Sequence, residues 1–165
     1  MRYLRFGILI SLVVGTLVGC SKEDASGEKI AEQYVKAQGY DVISNKGEIY
    51  SYILDKSKLS GNKASLPIQQ EWAVQNTEPD KYFGKEINIY GFTVSNHPLE
   101  QIYQAKTHVD VMISEGAVIG GYSFPDNDSD GACYSLDGRT LEEITGLSYI
   151  EWSNRWKKKY GDTSN

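Results

Sequence analysis

The stretch His108-Val109-Asp110-Val111-Met112-Ile113-Ser114-Glu115-Gly116-Ala117-Val118-Ile119-Gly120-Gly121-Tyr122-Ser123-Phe124 decides the fold. Val109, Val111 and Ile113 alternate with His108, Asp110 and Met112, which is the period of a strand with two different faces. Glu115-Gly116 then supplies a two-residue turn, and Ala117 to Phe124 returns as the partner strand. This alternation predicts His108 on the polar side of its strand.

Upstream, Ile87 to Val94 is strand-like on both faces, with Ile87 and Ile89 pointing opposite to Tyr90, Phe92 and Val94. A strand apolar on both sides belongs inside a sheet rather than at its rim. Further upstream, Tyr40 to Ser44 and Glu48 to Asp55 read as two strands joined by a turn at Asn45-Lys46-Gly47. Lys56 to Ala64 reads as a loop. Ser65-Leu66-Pro67 has the form of a short helix start, although Trp72 and Val74 alternate with polar neighbours as a strand beginning by Glu71 would. Asn76 to Gly84 is a connection with one helical turn expected at Asp80 to Phe83.

Helical spacing of Ile30, Ala31, Tyr34 and Val35 predicts a helix from Glu28 to Gln38, stopped by Gly39. Near the other end, Thr140-Leu141-Glu142-Glu143 and Ser148-Tyr149-Ile150-Glu151 both have the S/T-x-x-E form of a capping box. They predict a short helix ending at Gly146 and a second from Tyr149 to Tyr160. Leu147 is placed to staple onto Trp152. The expected class is therefore α+β: a mostly antiparallel sheet of about five strands with N-terminal and C-terminal helices packed on it.

The first twenty residues carry an address. Arg2 and Arg5 precede an apolar run, Phe6 to Val18, that ends in Leu17-Val18-Gly19-Cys20. As a helix this run would reach only about 20 Å at ~1.5 Å per residue, short of the ~30 Å hydrocarbon core of a bilayer, and it has the layout of a secretory signal peptide. Leu17-Val18-Gly19-Cys20 resembles the lipobox of bacterial lipoproteins. That resemblance implies a diacylglyceryl group on the Cys20 sulfur and cleavage that leaves Cys20 as the mature N-terminus. The expected organisation is a signal peptide over 1–19, a polar tether over 20–27, one globular domain over 28–161 and a tail over 162–165. The expected location is the extracytoplasmic face of the cell membrane.

The signal contains two of the 17 basic residues and none of the 22 acidic ones, so the mature part carries a net charge of −7. That sign argues against nucleic acid as a partner. Of the two cysteines, an acylated Cys20 leaves Cys133 without a partner in the chain, and Cys133 reads as a small, partly buried hydrophobe.

Asp126-Asn127-Asp128-Ser129-Asp130-Gly131 matches the first half of an EF-hand calcium loop, in which alternating carboxylates surround a hard cation. Position 12 of that pattern falls on Asp137 where a bidentate Glu is required, and an ordinary acidic loop is the expected reading. His97 and His108, eleven residues apart, do not form a zinc spacing. No G-x-S-x-G, Walker-type loop, H-E-x-x-H or C-x-x-C occurs. A hydrolase would need a dispersed site with His97 or His108 in a pocket beside a nucleophile and a carboxylate.

Gly120-Gly121 inside a strand marks a bulge, a close approach of a ligand, or room for a crossing helix; a helix presenting Trp152 or Trp156 is the expected occupant. Tyr149, Trp152, Trp156 and Tyr160 share one face of the last helix, next to Arg155, Lys157, Lys158 and Lys159. The expected role of that stripe is core packing, with the cations complementing the helix C-terminus rather than binding a membrane.

Asn96-His97-Pro98-Leu99, Gly120-Gly121-Tyr122-Ser123-Phe124-Pro125, and Tyr134-Ser135-Leu136-Asp137-Gly138 with Leu141-Glu142-Glu143 together resemble a group of small lipoproteins of Bacillus-type bacteria that share one domain of unknown function. The resemblance spans Glu28 to Gly161, implies a Gram-positive membrane address and supplies no catalytic residues. The functional expectation is a non-catalytic module, needing no cofactor, tethered to the membrane through its diacylglyceryl anchor and binding a protein, peptide or cell-wall component. The alternatives are a calcium-binding domain using Asp126, Asp128 and Asp130, and the dispersed hydrolase.

Overall fold

Thr140 and Ser148 begin their helices as the local sequence predicts. Each hydroxyl accepts from the backbone N–H three residues on, and Glu143 and Glu151 return the contact to the N-cap N–H. Gly146 closes the first of the two helices at φ 68°, a left-handed conformation that glycine adopts without strain. The turn Glu115-Gly116 has φ of 51° and 75°, the pair of positive angles that a type I′ hairpin requires.

The computed structural model describes residues 26–60, 62–127, 131 and 133–161. In chain order its elements are α1 (Gly27–Ala37), β1 (Asp41–Ile53), α2 (Leu66–Ala73), β2 (Glu86–Ser95), α3 (Pro98–Tyr103), β3 (Thr107–Ser114), β4 (Ala117–Pro125), β5 (Tyr134–Ser135), α4 (Leu141–Thr145) and α5 (Tyr149–Tyr160), with 3₁₀ turns at Lys56–Leu59 and Pro79–Tyr82. The five strands form one antiparallel sheet in the order β1-β2-β3-β4-β5. The fold is α+β.

Both faces of the sheet are covered. On one, Phe92 and Val94 of β2 and Val109, Val111 and Ile113 of β3 lie under Ala31 and Val35 of α1. On the other, Ile87 and Ile89 of β2, Met112 of β3 and Tyr122 of β4 meet Leu59, Ile68 and Trp72, together with Trp152, Trp156 and Tyr160 of α5. The opposite orientation of Ile87 and Ile89 relative to Phe92 and Val94 follows the alternation in the sequence. Two of the three core tryptophans place their indole N–H on a partner across the core: Trp72 donates to the Tyr52 hydroxyl at 3.0 Å and Trp156 to the Leu59 carbonyl at 2.8 Å.

One local expectation is corrected and one open alternative is decided. Asn45-Lys46-Gly47 is not a turn between two strands, because β1 runs unbroken past it against β2; the extra residue is absorbed as a bulge, with Gly47 at φ 68° and its N–H donating to Asn45 Oδ1 at 2.8 Å. The segment around Glu71 is helix, not strand, since Ile68 and Trp72 are four apart and both reach the core. His97 caps α3, its Nδ1 accepting from the Leu99 N–H.

Candidate functional site

β4 pairs with β3 along its whole length, but β5 covers its other edge only at Tyr122 and Ser123. The next backbone unit on that edge, Gly121, is satisfied by a side chain instead. Its N–H donates to Gln75 Oε1 at 2.9 Å, and its carbonyl accepts from Gln75 Nε2 at 3.0 Å. Gln75 stands just beyond α2 and is held by a second donation from Nε2 to the Glu71 carbonyl at 2.6 Å. A Cβ on Gly120 would overlap Gln75 Oε1, and one on Gly121 would overlap Leu136 Cδ1 and stand 2.7 Å from the Asp110 carbonyl oxygen. The two glycines therefore make room for Gln75 and Leu136, not for Trp152 or Trp156 as expected. Ile119 is the bulged residue beside them, between the Met112–Gly120 and Ile113–Val118 pairs.

Around this edge lies a groove of about 370 Å³. Val118 to Gly121 form its floor, Tyr34 of α1 and Gln38 just after it one wall, and Gln75 to Thr77 the other. At one end Arg139 Nε contacts Asp137 Oδ2 at 2.9 Å, so the charges there compensate one another.

On the α2 side of the same strands runs a row of buried polar groups. Asp110 is 2% exposed and its Oδ1 makes no hydrogen bond, although His108 Nε2 is 3.0 Å away. Gly91, directly opposite Asp110 in the sheet, leaves space for this carboxylate. Lys46, delivered by the β1 bulge, approaches His108 Nδ1 at 2.9 Å, and Phe124 stacks on the imidazole at 4.6 Å. Glu71 of α2 reaches into this row, where the Tyr122 hydroxyl hydrogen-bonds its carboxyl and Oε2 has no partner. Burial, reinforced by the charge of Asp110, pushes the Glu71 carboxyl up to about 7. Cys133 packs against the same core, and burial pushes its thiol up to about 12, which keeps it protonated and unreactive.

His108 is thus buried rather than on a solvated side, because Lys46 of β1 and Phe124 of β4, distant in sequence, close over it. Lys46, Asp110 and Phe124 contact its ring, and Thr93 stands opposite it in the sheet. His97 is consumed by structure. Its Nε2 is 2.9 Å from the Leu136 carbonyl, its ring lies 4.6 Å from Tyr40, and burial holds its pKa below the usual value. Among the described residues, His108 does not line the groove and His97 is engaged by Leu136, Leu99 and Tyr40.

The chain matches no protein-family model, no curated protein and no solved structure.

Of the calcium-loop residues, Asp128 and Asp130 lie outside the described residues, as does Cys20. Asp126 donates its backbone N–H to the Lys106 carbonyl at 2.7 Å, and Asp137 is engaged by Ser135 and Arg139. Among the described residues no cluster of three or more potential metal ligands is assembled. In α5, Trp152, Trp156 and Tyr160 face the core while Tyr149 is 63% exposed. Lys159 is spanned by Glu78 and Asp80, each at 2.6 Å. Gln75, Glu71 and Lys46 carry the site and were not singled out by sequence. The Gly120-Gly121 pair was the signal pointing to the first of them.

Proposed function

We propose that this chain is an extracytoplasmic lipoprotein, anchored through Cys20, whose folded domain is a non-catalytic module that binds an extended peptide segment along β4. The signal-like segment ending in Leu17-Val18-Gly19-Cys20 supports the address, and two acyl chains hold a protein at a bilayer without a further membrane element. The resemblance to small Bacillus-type lipoproteins supports the same address.

One observation carries the binding reading: the outer edge of β4 at Gly121 already holds a carboxamide that offers one donor and one acceptor to a backbone unit. A residue of an added antiparallel strand offers the same pair, and strand addition takes its affinity from such main-chain bonds. The groove floor is a backbone edge between two walls, and the charged pair at its end is internally compensated, so an uncharged extended segment fits it best.

Two measurements test the proposal. Cys20→Ser should release the protein from the membrane fraction of cells, and retention of the variant there would remove the anchor. Titration of the full-length protein in detergent micelles with blocked hexapeptides of alternating Val and Thr should shift the Gly121 amide and Gln75 carboxamide NMR signals together. An identical response to N-methylated hexapeptides, which lack the donors, or no response at Gly121, would remove the strand-addition reading.

A further inference from the structure

Two carboxyl groups on facing elements each keep an oxygen without a hydrogen bond: Oε2 of Glu71 on α2 and Oδ1 of Asp110 on β3. A buried acceptor left bare costs ~1–3 kcal/mol, and a buried charge more. The two are joined through β4, since Tyr122 pairs with Asp110 in the sheet and its hydroxyl hydrogen-bonds Glu71. The remaining ionisable groups of the row are His108 on β3, Tyr52 and Lys46 on β1, and Cys133 before β5. Lys46 is the cation among them, and it contacts His108 rather than either carboxyl. Among the described residues no cation of this row contacts Glu71, so a second negative charge there is uncompensated.

The same residue is tied to the groove. Gln75, four positions after Glu71, donates one bond to the Glu71 carbonyl and exchanges two with Gly121. We propose that a proton on Glu71 keeps the Gln75 carboxamide latched across Gly121, and that loss of this proton to solvent frees the β4 edge for a strand partner. With the proton in place the carboxyl is neutral and lies comfortably against Asp110. Without it, two carboxylates share one buried side of β4, and relief comes from turning Glu71 toward water. The last turn of α2 then moves and carries Gln75 off Gly121. Burial that raises the Glu71 carboxyl to about 7 places this change near neutrality.

This inference rests on the groove being the binding edge, and its test begins without any peptide. In ligand-free, full-length protein in detergent micelles, the Glu71 carboxyl carbon, the Gly121 amide and the Gln75 carboxamide are followed by NMR from pH 5 to 9. All three should titrate with one midpoint near 7, and protection of the Gly121 amide should fall about tenfold per pH unit of proton linkage. Glu71→Gln should hold Gly121 and Gln75 at their acid-side positions throughout. Asp110→Asn should move the Glu71 midpoint down, which keeps the proposal falsifiable if Glu71→Gln does not fold. A Glu71 titration that leaves Gly121 and Gln75 unmoved, an absent titration, or the same movement in Glu71→Gln would overturn the latch. The alternating Val/Thr hexapeptide is then titrated at pH 6 and pH 8. Tighter binding at pH 8 supports the latch and equal binding overturns it; no binding at either pH, with the ligand-free titration intact, removes the peptide reading alone.

Discussion

The face of the sheet under α1 and the face under α2 and α5 are both closed to solvent, but they are closed by different chemistry. Phe92, Val94, Val109, Val111 and Ile113 need only a complementary shape, which Ala31 and Val35 provide. The opposite face carries Asp110, His108 and Glu71 as well as an apolar cluster with Trp72, Trp152 and Trp156, so its packing depends on where protons and charges reside. An aliphatic layer responds to volume and is indifferent to pH. A layer holding uncompensated carboxyl oxygens gives up stability for a response to its surroundings.

Phe92→Ala is the strongest way to probe the aliphatic face. It should cost about 3–5 kcal/mol in urea unfolding, and the loss should be the same at pH 5 and pH 8; a loss that varies with pH would couple the two faces. The mixed face should show itself in the wild-type pH dependence. Between the ordinary value of 4.5 and about 7 the folded chain holds a proton on Glu71 that the unfolded chain has released. The Glu71 contribution to stability should therefore be fully present below 4.5, fall as pH rises through this window by up to about 3 kcal/mol, and level off above 7. Glu71→Gln should flatten that slope, and an unchanged slope would move its origin elsewhere. Ser148→Ala, which removes the cap of the helix covering the mixed face, should cost about 1 kcal/mol, read as a lower thermal midpoint. At the hairpin shared by both faces, Glu115→Asn should stabilise by about 0.5 kcal/mol, because asparagine tolerates the left-handed angle better than glutamate. It should do so equally at both pH values, since the Lys85 contact it removes is exposed.

The parts of this fold that were legible in the sequence are those fixed by near neighbours. The capping boxes at Thr140 and Ser148, the Glu115-Gly116 turn and the two-sided strand Ile87 to Val94 each involve residues within a few positions of one another. What was missed depends on distant partners. Asn45-Lys46-Gly47 has turn chemistry, yet β2 opposite it continues, and a continuing partner converts the turn into a bulge. His108 and Asp110 alternate with valines as solvent-facing residues do, and only partners far along the chain, Lys46, Phe124 and Glu71, make that side an interior. Gly120-Gly121 signalled that something approaches the backbone. That the visitor is a glutamine some 46 residues away is written nowhere near it.

The bulges of β1 have a bearing on how molecules of this protein meet. β1 is the long outer strand, and it exposes Ile43, Ile49, Tyr50 and Ile53. A straight apolar rim of that kind templates fibre growth, because a neighbour's strand can align with it unit by unit. Register breaks after Val42, Asn45 and Glu48 deny it any such alignment. The rim is greasy but its geometry disfavours polymerisation along it.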